Sequence, residues 1–283
     1  FIYPKLGPGQ FWESMANKIL QQGGEIICNA RVVDLQIREG KIHSIGYSDG
    51  NTVKYISADY VFSSMPISDL IKAMQDTPPP AIRDWALALP YRDFITVGLL
   101  VDRMKLQNET KIKTVSNIIP DCWIYIQDHN VKLGRLQIFN NWSPYMVKDY
   151  RNTVWLGLEY FCSEGDWMWN MPDEQFIEFA IKELASIGLI EPTAVKDAVR
   201  IRMPKAYPAY FGSYDHIEEI RKYLNSISNL YCIGRNGQHR YNNMDHSMLT
   251  AIRAVESLLH GMEKNAIWEV NTEDEYHEQK AKA

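Results

Sequence analysis

The sequence is short of several things, and each shortage narrows what the chain can be. No apolar run approaches the roughly 20 residues that a bilayer-spanning helix needs, the best being Phe94 to Val101. No secretory signal pattern is visible, so Asn108-Glu-Thr and Asn141-Trp-Ser, which fit the glycosylation acceptor pattern, read as chance. Cysteine is sparse: Cys28, Cys122, Cys162 and Cys232 are scattered, with no C-x-x-C pair and no histidine at metal-ligand spacing. That argues against a metal site and predicts buried, reduced thiols in a cytoplasmic protein. A basic excess is lacking too, since 30 Lys and Arg face 35 Asp and Glu for a formal charge of −5, which disfavours nucleic acid as a partner. Finally, there is no Gly-x-Ser-x-Gly, no His-Glu-x-x-His, no P-loop and no EF-hand loop. No residue declares itself catalytic, and the catalytic group stays unknown at this level.

What is present suffices for a buried core: 46% of the 283 residues are apolar, enough for one large or two medium domains. The most informative stretch is 229–262. Leu230 to Ile233 is a short strand-type run ended by Gly234, a second glycine follows at 237, and after Asp245 the residues Met248, Leu249, Ile252, Val255, Leu258 and Leu259 recur at helical spacing. Strand, glycine loop and helix in that order suit a phosphate or polyol ligand, because glycine admits close backbone approach and a helix start offers unpaired N–H groups. Arg235 and Arg240 could face an anion. An ordinary loop, with Asp245 as helix cap and both arginines solvated, accounts for the same pattern.

From its start the chain reads as a turn-rich lead, Tyr3-Pro4-Lys5-Leu6-Gly7-Pro8-Gly9, then a helix with Trp12, Met15, Ile19 and Leu20 on one side, closed by Gly23-Gly24, then a strand from Glu25 to Cys28. Three alternating segments, Val32 to Ile37, Ile42 to Tyr47 and Thr52 to Ile56, form an antiparallel meander with turns at Glu39-Gly40 and Asp49-Gly50. A buried-type strand runs through Tyr60, Val61 and Phe62 toward Ser63, Ser64 and Met65, before a helix from Ile67 to Met74. Thr77-Pro78-Pro79-Pro80 marks a boundary, since consecutive prolines belong to neither helix nor central strand. Residues 81–220 are rich in aromatics. Strands are expected at Phe94 to Val101, Trp123 to Ile126, Arg135 to Phe139 and Val154 to Phe161, with helices at 81–89 and 173–187, making an α+β sheet with helices on one side. The acidic end from Asn271 reads as a solvated terminus.

Gly-Arg-x-Gly-x-x-Arg-Tyr-x-x-Met-Asp, from Gly234 to Asp245 and followed by a helix, resembles the C-terminal flavin-contacting segment of the superfamily that joins FAD-dependent amine oxidases, protoporphyrinogen oxidase, phytoene desaturases and UDP-galactopyranose mutase. The Gly234-Arg235 form with a downstream Arg240-Tyr241 is closer to the mutase and to protoporphyrinogen-oxidase-like proteins of polysaccharide gene clusters. Tyr-Pro-x-x-Gly-x-Gly, helix, Gly-Gly and strand near the start is similar to the point where that superfamily re-enters its FAD domain.

The resemblance implies an α/β plus α+β fold: an incomplete, Rossmann-like FAD-binding domain (1–76 and 223–265), an inserted mixed-sheet substrate domain (77–222) and a C-terminal tail (266–283). It implies FAD as cofactor, contacted by Gly234, Arg235, Gly237, Arg240, Tyr241, Asn243, Met244 and Asp245, with Arg31, Val32 and Val33 toward the adenine end. The missing protein motifs then make sense, because the flavin carries the hard chemistry. The Gly-x-Gly-x-x-Gly unit that cradles the pyrophosphate is lacking, and the chain opens on Phe1 inside a structured motif. The expectation is of part of a longer protein that holds FAD poorly, and works poorly, on its own.

Three functions follow: an oxidoreductase passing hydride from substrate to flavin, a UDP-galactopyranose mutase-like enzyme of polysaccharide biosynthesis, or a non-catalytic module keeping only the scaffold. For substrate, Tyr207, Tyr210 and Tyr214 with Arg135 suit a sugar or nucleotide diphosphate, by ring stacking and bidentate guanidinium bonds. A half-buried strand or loop explains the same tyrosines. The partner expected is a small molecule, a nucleotide sugar or a polyol or amine. His239 and His246 flank the glycine loop as proton donors or as structural residues.

Overall fold

The computed structural model describes residues 2–271; the acidic terminus beyond 271 lies outside them. Two compact units share the chain, one built from residues up to Ile26 plus Asp93–Pro204, the other from Ile27–Arg92 plus Lys205 onward. The crossings thus fall at 26/27, 92/93 and 204/205, against the 76/77 and 222/223 drawn from the proline run and the motif.

Proline at the first helical position starts α1 (Pro8–Gln21). The stretch Glu25 to Cys28, expected as a strand, is exposed and pairs with no other segment among the described residues. A strand is stable only when a neighbour takes its N–H and C=O groups, and no such neighbour lies beside it among the described residues. Cys28 is therefore exposed and Cys122 half-buried, while Cys162 and Cys232 are buried as expected; all four are free thiols.

In the second unit the meander forms as read: β1 (Arg31–Arg38), β2 (Lys41–Ser48) and β3 (Val53–Ile56) pair antiparallel in that order. The β1–β2 register slips between Val32 and Asp34, leaving Val33 without a partner. This is a bulge, which re-aims the local backbone. β4 (Val61–Ser63) precedes α2 (Ile67–Ala73) and α3 (Pro80–Leu87).

In the first unit β5 (Tyr91–Val101), β6 (Trp123–Tyr125), β7 (Arg135–Ile138), β8 (Val154–Cys162) and β9 (Val195–Pro208) form one sheet in the order β6-β7-β8-β5-β9, with the ends of β5 and β9 lying past the unit boundary. One face, carrying Ile95, Val97, Leu99, Leu136, Leu156 and Leu158, packs with Phe176, Ala180 and Leu184 of α4 (Asp173–Ser186). β9 is not expected from the sequence, because Lys196, Asp197, Arg200 and Arg202 interrupt its apolar alternation. Arg200 is buried all the same: its guanidinium donates to the carbonyls of Met168 and Met171 and to Asp173.

The chain closes the second unit with α5 (Ile217–Ser226), β10 (Leu230–Cys232) and α6 (Met244–His260). β10 lies parallel to β4, with Tyr231 opposite Phe62. Buried Asn229 joins this pair to the meander, accepting from the Ile42 N–H and donating to the Ile42 carbonyl, both at 2.9 Å. Lys264 caps the end of α5 and the turn after it, donating to the carbonyls of Ile227, Ser228 and Leu230. Ile267, Trp268 and Val270 are buried, so residues 265–271 belong to the packed unit.

Candidate ligand site at the glycine loop

Everything in this site belongs to the second unit. β10 ends in Ile233, and Gly234 turns the chain with φ +71°, a value that favours glycine. One helical turn, Gly234–Gly237, follows. Gly237 lies so close to β4 that a Cβ there would sit 2.5 Å from the Ser63 carbonyl oxygen. The loop is thus pressed against the Ser63–Ser64 backbone, and only glycine fits. The Gly234 N–H is held by the buried hydroxyl of Thr250 in α6 at 2.8 Å.

The cap of α6 is Asn243 and not Asp245. Asn243 and His246 form a reciprocal capping box, with the Asn243 N–H donating to His246 Nδ1 at 3.3 Å. Asp245 is exposed in the first turn, where its charge suits the helix dipole. Asn243 and Met244 are exposed beside it.

Arg235 is the centre of the arrangement. Its Nε donates to the Asn242 carbonyl at 2.9 Å and its Nη1 to the Ala206 carbonyl at 3.0 Å. The guanidinium lies 5.1 Å from the ring centre of Tyr207 and 4.8 Å from that of Tyr241. Those rings are near-parallel, 16° apart in plane and 6.0 Å between centres. Two of the three guanidinium nitrogens are thus fixed, and Nη2 has no hydrogen-bond partner among the described residues. Tyr210 stacks on Tyr214 at 4.7 Å, and its hydroxyl accepts the Tyr241 N–H at 2.5 Å. The end of β9 and the glycine loop are therefore laced together.

His239, which the sequence leaves open as a proton donor or a structural residue, is fully buried within the lacing. Its Nε2 meets the Ala209 carbonyl at 3.2 Å and its ring sits edge-on to Tyr91. Desolvation pushes its pKa from 6.5 down to about 4. Arg240 points its Nη1 to the Asn271 carbonyl at 2.9 Å, and the Asn271 amide donates back to the Tyr241 carbonyl at 2.7 Å. Arg240 so ties the loop to the end of the described chain. Asn242 and Ala206 carry Arg235 through their carbonyls, a role that no side-chain pattern signals.

Val32 and Val33 line a separate cavity of about 250 Å³ in the same unit, with Arg31, Asp69, Lys72 and Ala73. The bulge explains it: Val33, out of register, has its carbonyl bonded by the Gln75 side chain at 3.4 Å. Asp69 at its edge holds Lys205 at 2.6 Å. Of the four substrate candidates, Tyr207, Tyr210 and Tyr214 meet around the loop, whereas Arg135 belongs to the other unit. There its guanidinium is bonded to the buried Glu159 carboxylate at 2.7 Å and flanked by Trp123 and Phe161. No group of His, Cys, Asp and Glu that could hold a metal ion occurs among the described residues, and no helix among them is long and apolar enough to cross a membrane.

No family model matches the sequence, and no curated protein matches it. Solved structures do. A reduced UDP-galactopyranose mutase is similar over 94% of this chain and 55% of that one, with TM-score 0.76 and 21% identity. A putative protoporphyrinogen oxidase from Exiguobacterium sp. 255-15 is similar over 86% and 50%, at TM-score 0.59 and 16% identity. An oxidoreductase from Methanosarcina mazei is similar over 82% and 49%, at TM-score 0.53 and 14% identity. The chain spans about half the length of these structures. It has the mixed α/β fold of these solved structures, as the resemblance implied.

Proposed function

We propose that this chain forms the flavin-loop and substrate-holding part of an FAD-dependent enzyme that acts on a nucleotide sugar, in the manner of a UDP-galactopyranose mutase. The observation that carries the reading is Arg235, held at two nitrogens, flanked by near-parallel tyrosines and left with Nη2 unspent. A guanidinium so oriented suits a diphosphate oxygen, and the Tyr207 and Tyr241 rings suit the apolar face of a sugar or base. The mutase is also similar over nearly the whole of this chain.

The residues around the loop fit FAD by their unspent polar atoms, amide oxygens that accept beside an amide N–H and a hydroxyl that donate. Ser63 Oγ, Asn236 Oδ1, Gln238 Oε1 and both amide atoms of Asn242 are buried with no hydrogen-bond partner among the described residues. Unspent buried donors and acceptors are costly, and a cofactor rich in both would relieve them. In this reading the loop from Gly234 to Asp245 holds the flavin end, and Val32, Val33, Arg31 and Lys72 hold the adenine end. Bound FAD would supply the redox or nucleophilic centre that the protein residues lack. Arg235 then binds and orients the substrate phosphate, and the tyrosines exclude water from it.

A second reading, hydride transfer from an amine or polyol to the flavin, is supported by the two oxidoreductase-type structures. The test uses protein expressed from its complete reading frame. An absorbance spectrum over about 300 to 550 nm reports the flavin, and a UDP titration then reports the substrate site. Bound flavin, UDP binding and about a 10- to 100-fold weaker UDP affinity in Arg235→Ala are expected, the range of one charged hydrogen bond. Flavin that bleaches with substrate in a protein indifferent to UDP would favour the oxidoreductase. A colourless protein that takes up neither FAD nor UDP would overturn both.

A further inference from the structure

We infer that His239 is a positioning residue for the candidate site, pinning the end of β9 to the glycine loop so that Arg235 and Tyr241 keep their orientation. For its ligand readout the inference rests on the nucleotide-sugar reading above. The geometry comes first. Bonds that cross between the segment 206–210 and the loop 234–242 include, in turn, Arg235 Nη1 to the Ala206 carbonyl, the Tyr241 N–H to the Tyr210 hydroxyl, and His239 Nε2 to the Ala209 carbonyl. The first two involve residues proposed to touch ligand. The third is made by a side chain with no solvent exposure, so it can act only through the others.

A carbonyl partner forces the proton onto Nε2, which makes Nδ1 a bare acceptor. Nδ1 is buried and finds no donor among the described residues. The groups facing the ring are Tyr91 of β5, edge-on at 4.6 Å, and Tyr214, tilted at 5.9 Å. Burial pushes the Tyr91 hydroxyl pKa upward, so that ring stays uncharged. Lys205, over the Tyr91 ring at 5.6 Å, is itself paired with Asp69. Neither ring brings a negative charge to compensate a proton on His239, and the Asp69 carboxylate is spent on Lys205. The backbone adds to the picture: His239 holds φ +47°, in the left-handed region that a non-glycine residue rarely adopts. Such a conformation persists only where surrounding contacts over-determine it, and the Ala209 bond is one of them.

The experiment compares wild type with His239→Phe, which keeps the bulk but loses the donor, and His239→Gln, whose amide restores a donor at the Nε2 position. Hydrogen exchange of the peptide covering 234–242 is read first, because the Tyr241 N–H is one of the crossing bonds. Expected is faster exchange there in His239→Phe, wild-type exchange in His239→Gln, and no change in β1–β3. At pH 4 wild type should exchange faster in this peptide than His239→Gln at the same pH, since only the histidine takes a proton. UDP titration is read second, with about a 10-fold weaker affinity in His239→Phe regained in His239→Gln. Unchanged exchange in His239→Phe, or a glutamine variant no better than phenylalanine, would overturn the inference. If wild type ignores UDP yet His239→Phe loosens the loop, the pin stands and the nucleotide-sugar reading falls.

Discussion

Two residues of the glycine loop respond to change for opposite physical reasons. Gly237 is short of space, with a backbone carbonyl where a Cβ would go; Gly237→Ala must shift the loop or β4, costing about 1–3 kcal/mol. Gly9 has nothing within 4 Å of its would-be Cβ and lies inside α1, so Gly9→Ala should be neutral or stabilising by under about 1 kcal/mol. Urea midpoints of the two variants check the contrast. His239 is short of solvent. Its pKa falls from 6.5 unfolded to about 4 folded, so between those values the unfolded chain binds the extra proton. The stabilisation is complete above pH 6.5 and is lost as pH falls toward 4, on the order of 3 kcal/mol in all. Urea midpoints from pH 7 to 4 should slope more steeply for wild type than for His239→Gln, which has no proton to gain.

Helix α6 shows how little an amphipathic pattern says about which face is buried. Of the six apolar residues at helical spacing, Leu249, Ile252, Val255 and Leu259 are 38–69% exposed, Met248 and Leu258 are half-buried, and the fully buried positions are Thr250, Ala254 and Ser257. Small residues let the helix approach the Gly234–Gly237 turn closely, and Thr250 turns that closeness into a bond with the Gly234 N–H. Thr250→Val keeps the shape and removes the acceptor, leaving a buried N–H unpaired. Roughly 2 kcal/mol should be lost, visible as a lowered denaturation midpoint, whereas Leu249→Gln on the exposed stripe should change it little. The helix itself was legible from its period. Its burial was not, because periodicity marks a stripe and says nothing of what lies opposite.

For the molecule as a whole, the division of the core makes a separate prediction. Every residue of the first core cluster, from Ile95 to Ile190, lies within the continuous stretch 93–204, and α1 buries none of its residues. A polypeptide of residues 93–204 should fold alone, with β-rich circular dichroism and a cooperative thermal transition. The second core draws on both 27–92 and 205–271, so residues 27–92 alone should show no cooperative transition. Non-local closure of that kind is the slower and costlier part of folding.

The sequence by itself determined the meander, four of the five strands of the central sheet (β5 to β8), helices α1, α4 and α6, and the strand–glycine loop–helix order at 229–262, because periodicity, turn residues and glycine act locally. It also marked Gly234, Arg235, Gly237 and Tyr241 through their resemblance to a known segment. Only the tertiary structure decided that Tyr207, Tyr210 and Tyr214 meet that loop while Arg135 pairs with Glu159 in the other unit. Only it decided that Glu25 to Cys28 stays unpaired, that β9 runs straight through its charges, and that His239 is neutral and buried. Each of these depends on partners distant in the chain, and a contact between distant residues leaves no mark on local composition.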